Sequence, residues 1–251
     1  MHSMKASKSK ALCVYCVLAP GQTRDHVVAR GFFPLDDREG LPLVPACREC
    51  NNAKARLEHQ LTAVVPFGAT HGRSSEMLSA MVPPRLEKNL KLARTLGQGM
   101  TYRFVSSDYG ATWDTQLVLP LEGEDLSKLL TTMVRGLAFA EYGILLPETE
   151  FFVRADFLIG SGRAAFEQLH AQRGNRTGMK NLGHGIFEYE GVQATNEPQL
   201  TVWRMSLCGI VTGGDPKAPG ESVSVVHAIT APRRMKGAMM LEDLLRDTKA
   251  A

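Results

Sequence analysis

The chain has 251 residues, of which 44% are apolar, 22% charged and 7% aromatic. This composition excludes a disordered chain, which would be poorer in apolar residues, and a collagenous chain, which would be richer in glycine and proline. No apolar run approaches the roughly 18 residues of a membrane span, and the basic N-terminus has no apolar core behind it. We therefore expect a cytoplasmic protein of one large or two small domains, without a secretory signal or a membrane partner.

The net charge of +3 lies entirely in the first quarter of the sequence. Residues 1–62 hold nine Lys or Arg and six Asp or Glu, whereas residues 63–251 hold 20 of each sign. A local excess of positive charge suits a surface that neutralises DNA phosphates. Because the excess is small, a solvated basic tail over residues 1–12 explains it equally well.

Four of the five cysteines form two C-x-x-C pairs, Cys13 with Cys16 and Cys47 with Cys50, with thirty residues between the pairs. Each such turn can present two thiolates to one side of a tetrahedral ion, so the spacing predicts a structural zinc site. Two disulfides are the alternative, but the cytosol keeps thiols reduced. Cys208 lies in a largely apolar run, where a buried free thiol is expected.

The segment between and after the pairs predicts two strands and a helix. Val27-Val28 and the run Leu41 to Val44 are strand-like on either side of loop-forming residues. From Arg48 the sequence continues without glycine or proline and predicts a helix that begins at the second pair. Such a small unit has almost no hydrophobic core, so a metal ion has to hold it together.

This segment also carries a family resemblance. Its motifs are Thr23-Arg24-Asp25-His26-Val27-Val28, then Pro34, then Cys47-Arg48-Glu49-Cys50-Asn51-Asn52-Ala53-Lys54. Residues 10–62 resemble the HNH endonucleases in their version with two C-x-x-C pairs. The resemblance implies a small zinc-stapled ββα-metal module over residues 13–62 and hydrolysis of phosphodiester bonds in DNA.

The resemblance also implies roles for individual residues. His26 would be the general base that activates water, which its ordinary pKa near 6.5 allows. Asp25 and Asn51 would hold a catalytic divalent ion, and their hard oxygen atoms suit Mg²⁺ or Mn²⁺. Because Asp25 and His26 are adjacent on a strand, their side chains are expected to point to opposite faces unless the backbone is bulged or twisted there. Asn51 and Asn52 are both also candidates for a helix N-cap with no other duty.

Three basic side chains of this segment, Lys54, Arg24 and Arg56, are candidates for binding the DNA backbone. Lys54 lies one helical turn beyond Asn51 and could face the same phosphate. The alternative is that they are ordinary surface charges. Six other histidines show no spacing that indicates a metal site: His2, His59, His71, His170, His184 and His227.

One position departs from the HNH pattern. The middle Asn of the family would stand five residues before Cys47, where this chain has Pro42. That Asn helps to orient the base histidine, and proline supplies no side-chain hydrogen bond in its place. The orientation of His26 is therefore expected to lack this support, and reduced or lost activity is an open alternative.

The remaining sequence predicts a mixed α+β domain over residues 85–251 after a linker over residues 63–84. Helices are predicted at 85–96, 124–142, 164–172 and 236–246, and strands at 102–105, 116–119, 151–157, 185–190, 200–210 and 223–229. Helix 124–142 carries an apolar stripe of the kind that normally packs into a core. The basic, glycine-containing loop 173–180 is either a phosphate contact or a mobile turn.

Three functions stay open from the sequence. The first is a metal-dependent DNA endonuclease with an HNH module. The second is a catalytically degenerate HNH scaffold that acts as a zinc-dependent nucleic-acid-binding module, which Pro42 favours. The third is an interaction protein whose cysteines only stabilise a short domain. A homodimer or an unknown protein partner would act through the C-terminal domain.

Overall fold

The computed structural model describes residues 11–107, 112–118, 123–210 and 224–235, and within 103–107 and 112–118 it describes the backbone alone. Over these ranges the protein is of the mixed α+β class, as the sequence predicts. None of the helices in these ranges is long and apolar enough to cross a lipid bilayer. The basic tail expected over residues 1–12 and the helix expected over 236–246 lie mostly or wholly outside the described residues.

The first part of the chain is a strand, a strand and a helix, in the order that the sequence predicts. These are β1 (Thr23–His26), β2 (Leu43–Ala46) and α1 (Arg48–Val64). β1 and β2 pair antiparallel, and the amide of Val27 continues the pairing by donating to the carbonyl of Pro42 over 2.9 Å. Cys47 is the N-cap of α1.

The linker expected over residues 63–84 is instead largely helical. A 3₁₀ turn (Val65–Gly68), α2 (Ser74–Glu76), a π turn (Met77–Met81) and α3 (Val82–Lys88) follow one another. Val65, Met77 and Val82 of this segment are buried, which stabilises the helical path, whereas Phe67 is exposed. Its prolines lie in first turns, where no backbone N–H is needed.

The single helix expected over residues 85–96 is two helices. α3 ends at Lys88 and α4 (Leu90–Gly99) begins after Asn89, whose backbone leaves the helical region at φ −134° and ψ 76°. The Asn89 side chain accepts a hydrogen bond of 3.0 Å from the amide of Leu92 and caps α4. Asparagine favours such a cap over a helix interior because its side chain competes with the backbone for hydrogen bonds.

A hairpin, two helices and a six-stranded antiparallel sheet complete the described chain. The elements are β3 (Thr101–Ser107), β4 (Thr112–Val118), α5 (Gly123–Tyr142), β5 (Phe151–Asp156), α6 (Gly160–His170), β6 (Gly174–Arg176), β7 (Lys180–Leu182), β8 (Phe187–Ala194), β9 (Thr201–Leu207) and β10 (Val226–Pro232). The sheet order is β5-β10-β9-β8-β6, with β7 also paired to β8. The sequence predicts the longer strands and both helices but neither β6, which lies in the predicted loop over residues 173–180, nor β7, which begins at the last residue of that loop.

The N-terminal module and the C-terminal sheet share one hydrophobic core. Four residues of the predicted apolar stripe of α5, Leu129, Leu130, Met133 and Leu137, are buried between them, as are Val134 and Ala138, whereas Ala140 of the predicted stripe is exposed. Val27, next to His26, packs against α5 at Gly136, where an added Cβ would lie 2.9 Å from the Val27 methyl carbons. Glycine is therefore needed at this crossing, and the position of β1 depends on α5.

Candidate functional site

The two cysteine pairs come together at the start of α1. Their four sulfur atoms, on Cys13, Cys16, Cys47 and Cys50, lie within 4.8 Å of one another, close enough to hold one metal ion. In the described part of the chain no other group of three or more His, Cys, Asp or Glu side chains has this geometry. Cys208 is fully buried and away from this group, as the sequence predicts.

Backbone hydrogen bonds prepare both cysteine turns. The amide of Val17 donates to the carbonyl of Cys13 over 2.9 Å, and Val17 adopts a positive φ of 57°, which closes the first turn. In the second turn the amide of Cys50 donates to the sulfur of Cys47 over 3.4 Å. N–H groups directed at sulfur stabilise thiolates, which are the form that binds metal.

Asp25 and His26 lie on opposite faces of β1, as regular strand geometry requires. Asp25 is 8% exposed and faces α1, while His26 is half-buried. The Asp25 Oδ2 atom accepts a hydrogen bond of 2.5 Å from the Tyr15 hydroxyl and lies 3.0 Å from the Lys54 Nζ atom. Asp25 is thus an interior carboxylate with a cation already beside it.

Lys54 does not face a phosphate, contrary to the prediction from its spacing to Asn51. It is 2% exposed, and its ammonium group donates to the His26 carbonyl over 2.6 Å and to the Glu58 carboxylate. Because helix α1 packs on β1 along this face, the side chain one turn after Asn51 is directed at the strand. The structure therefore places Lys54 in the interior with its charge already paired, and not on the surface where the predicted role in phosphate binding needs it.

One ring nitrogen of His26 has no hydrogen-bond partner in the described part of the chain. Its Nδ1 atom is buried and has no hydrogen-bond partner among the described residues. The sequence anticipates this through Pro42, which pairs with Val27 through its backbone carbonyl and has no side-chain donor or acceptor. Burial, followed by the positive charge of Arg30, lowers the pKa of His26 below its ordinary value of 6.5. The imidazole is therefore neutral at pH 7 and can accept a proton.

Asn51 is held by the hairpin. Its Nδ2 atom donates to the Thr23 hydroxyl over 3.0 Å, and that hydroxyl donates to the Ala46 carbonyl over 2.8 Å. These bonds tie the first turn of α1 to both strands. Asn52 is exposed, so Asn51 is the asparagine of the pair that belongs to the site.

The predicted catalytic ion does not fit the residues as they are arranged. Mg²⁺ and Mn²⁺ sites need several oxygen ligands, and Mg²⁺ holds them at about 2.0–2.1 Å with near-octahedral geometry. Asp25 is nearly inaccessible, and its Oδ2 atom already has two partners. The amide of Asn51 is directed at Thr23. We assign no chemical step to an ion between Asp25 and Asn51.

Arginines surround His26 more closely than the motif indicates. Arg24 and Arg30 are exposed, and both lower the pKa of His26 through their charge. Arg30 also contributes to lowering the pKa of Arg38, after burial. In the described ranges none of these three arginines forms an ion pair with a carboxylate. Of the three, only Arg24 is among the phosphate-binding residues predicted from the sequence; Arg30, which follows His26 by four residues, and Arg38 are not.

The other predicted phosphate contacts have different surroundings. Arg56 is exposed on α1 and lines a shallow groove between α1 and α4 with His59 and Lys91. In the loop predicted over residues 173–180, Arg176 instead pairs with Glu190 across 3.1 Å and donates to the His170 carbonyl over 2.5 Å. Arg176 therefore stabilises the sheet edge, whereas Arg56 stays available.

A second cluster of buried polar groups lies where α6 packs on the sheet. The His227 Nε2 atom is 3.4 Å from the Glu167 carboxylate, and Arg204 approaches the same carboxylate at 3.5 Å. Within the described residues, four polar atoms of His170, His227 and Arg204 have no hydrogen-bond partner. These histidines show no motif spacing in the sequence, because strand pairing and the packing of α6 bring them together. Burial lowers the pKa of His227 to about 4.

Acid should therefore destabilise the protein through His227. The unfolded chain takes up a proton near pH 6.5 while the folded protein resists it down to about pH 4, so stability falls over this interval. We expect a loss on the order of 3 kcal/mol, measured by urea unfolding at a series of pH values. His227→Leu should remove this part of the pH dependence, and His59→Gln, at an exposed histidine, should keep it. Equal pH dependence in wild type and His227→Leu would contradict the assignment.

Comparison with known proteins adds no family assignment. No protein-family model matches the chain, and no curated protein or solved structure matches it either. The likeness to HNH endonucleases thus depends on the motif residues themselves. The geometry adds to them an antiparallel hairpin, a following helix and four sulfur atoms in one place.

Proposed function

We propose that residues 13–62 form a zinc-binding ββα-metal module of the HNH type that hydrolyses phosphodiester bonds in DNA, with His26 as the general base. The observation that carries the proposal is the position of His26, half-buried and neutral beside arginines that have no acidic partner in the described ranges. Zinc is the metal that four thiolates in two C-x-x-C turns select.

The charge around His26 supports a phosphate as the ligand. Arg24 and Arg30 are exposed, so they can bind phosphate oxygens through charge-assisted hydrogen bonds. Such contacts would bring the scissile phosphate next to the imidazole. They would also stabilise negative charge that develops on the phosphate oxygens during the reaction.

The protonation state of His26 supports its role as a base. Burial and the neighbouring arginines keep its pKa below 6.5, so at neutral pH the ring is in the form that accepts a proton. With Nδ1 in the interior, Nε2 is the nitrogen that would take the proton from an attacking water molecule. Arg56 and the groove that it lines beside α4 would bind backbone phosphates of the DNA other than the scissile one.

A second candidate function is DNA binding without cleavage, on a degenerate HNH scaffold. Three observations favour it: Asp25 is already paired with Lys54, His26 Nδ1 has no partner, and Pro42 replaces the orienting Asn. The same arginines would serve this function, because phosphate contacts alone give non-specific DNA affinity.

Two measurements on the full-length, zinc-loaded protein separate these functions. The first is conversion of supercoiled plasmid to nicked or linear DNA in metal-depleted buffer and in buffers with Mg²⁺ or Mn²⁺. The second is the affinity for a short duplex as a function of salt concentration, which should fall steeply if several arginines neutralise phosphates.

Each outcome selects one function. Cleavage together with salt-dependent binding supports the nuclease. Salt-dependent binding without cleavage in any buffer supports the degenerate scaffold. If the protein neither cleaves nor binds DNA, both proposals are overturned. The remaining function is then an interaction protein with a metal-stabilised domain.

A further inference from the structure

The Lys54 ammonium group occupies the space in front of Asp25 where the HNH resemblance implies a divalent ion. Its Nζ atom lies 3.0 Å from Asp25 Oδ2, and its side chain is 1% exposed. A buried lysine is costly unless its charge is paired and its donors are satisfied. The surroundings of Lys54 meet both conditions.

The ammonium group of Lys54 makes two hydrogen bonds and one ion pair. An ammonium group has three N–H donors and no acceptor. The three acceptors around Lys54 are the Asp25 carboxylate, the His26 carbonyl and the Glu58 carboxylate. Tyr15 donates to Asp25 from the other side over 2.5 Å. The network therefore has a cation at its centre, with two carboxylates and a carbonyl around it.

The network also fixes the base histidine. Because Lys54 binds the carbonyl of His26 and the carboxylate of Asp25, it joins two consecutive residues of β1 to α1. A divalent ion at Asp25 would have to displace the ammonium group, and an ion beside it would meet a like charge about 3 Å from the shared carboxylate oxygen. Displacement would leave Lys54 buried without its counter-charge.

We propose that Lys54 is the resident cation of this site, so that the folded protein has no Mg²⁺ or Mn²⁺ site at Asp25 and Asn51. Lys54 is a positioning residue, since it acts through the backbone of His26 and does not reach the solvent. The inference rests on the proposed function only because it takes residues 10–62 as an HNH-type module. The contacts of Lys54 do not depend on that function.

Mn²⁺ binding tests the proposal without any measurement of nuclease activity. Zinc-loaded full-length protein is titrated with Mn²⁺ and the free ion is followed by electron paramagnetic resonance, in the wild type, in Asp25→Asn and in the control Glu39→Gln. Glu39 is an exposed acidic residue of the same module. We expect the three proteins to bind Mn²⁺ equally and weakly. One tight Mn²⁺ per wild-type chain that Asp25→Asn loses and Glu39→Gln keeps would overturn the proposal.

A second measurement needs no variant and covers the case in which Asp25→Asn does not fold. An ion that binds only the folded state stabilises it by RT ln(1 + [L]/Kd), so the melting temperature keeps rising with the ion concentration above Kd. We expect the melting temperature of the zinc-loaded wild type to be the same with and without millimolar Mn²⁺, whereas a rise that grows with the logarithm of the Mn²⁺ concentration would overturn the proposal. If the protein binds no Mn²⁺ and also fails to cleave DNA, the proposed function falls and the assignment of Lys54 stands.

Discussion

Replacing Cys47 by serine should remove the metal ion and unfold the N-terminal module, because structural zinc sites contribute on the order of 10 kcal/mol to folding. The total stability of a domain is about 5–15 kcal/mol, so this loss amounts to most or all of it. Cys47 both belongs to the four-sulfur group and caps α1. The measurement is zinc content by atomic absorption together with thermal unfolding by circular dichroism.

Loss of the metal ion in Cys47→Ser should also disturb the contacts of Asp25. Tyr15 lies between the first two cysteines and donates to Asp25, so loss of the metal frees a partner of the buried carboxylate. Cys208→Ala is the matched control: Cys208 is buried but is not part of the four-sulfur group, and its loss should cost about 1 kcal/mol. A Cys47→Ser protein that keeps one zinc ion and the melting temperature of the wild type would contradict the prediction.

Replacing His26 by glutamine should lower DNA cleavage by about 10²–10⁴-fold, which is the usual contribution of a general base. Glutamine keeps a polar side chain of similar reach but does not accept a proton at neutral pH. Binding of duplex DNA should persist, because the arginines around His26 are unchanged. The measurement is the initial rate of plasmid nicking with enzyme in excess, compared with the affinity of the same variant for a short duplex.

The pH profile separates loss of a base from loss of structure. Since burial and Arg30 lower the pKa of His26, the wild-type rate should rise with pH along a limb that lies below pH 6.5 and be level above it. The variant should lack this limb. Glu39→Gln, at an exposed residue of the same module outside the groove of Arg56, is the control and should cleave as the wild type does. Equal rates in His26→Gln and wild type would show that another residue is the base.

The elements that could be predicted from sequence are those whose pattern is local. α1 and α5 have long uninterrupted helical patterns, and both cysteine pairs are defined by short turns. β6 and β7 have three residues each, too few for a strand pattern to be visible. Residues 63–84 look like a linker because of their proline and glycine, and they are helical because Val65 and Met77 are buried in the core that they share with the module.

In the candidate site, too, local features could be predicted from the sequence, and contacts between separate elements could not. The positions of Asp25 and His26 on opposite faces of β1 follow from strand geometry alone. The partner of Asp25 does not, because the direction of Lys54 depends on how α1 rotates against β1, and helical spacing gives only its distance from Asn51. The arginine group near His26 and the cluster around His227 depend on contacts between separate elements, which one sequence does not specify.

The close approach of Gly136 to Val27 has a consequence for how such a module can be inherited or transplanted. The Val27 side chain packs directly on the backbone of α5 at Gly136. Residues 13–62 therefore do not contain all the contacts that hold His26 in place. The strand that carries His26 is thus supported by a helix residue, Gly136, that follows Val27 by 109 residues (136 − 27). Evolution could exchange the surface loops of this protein freely, but the module and α5 would have to change together.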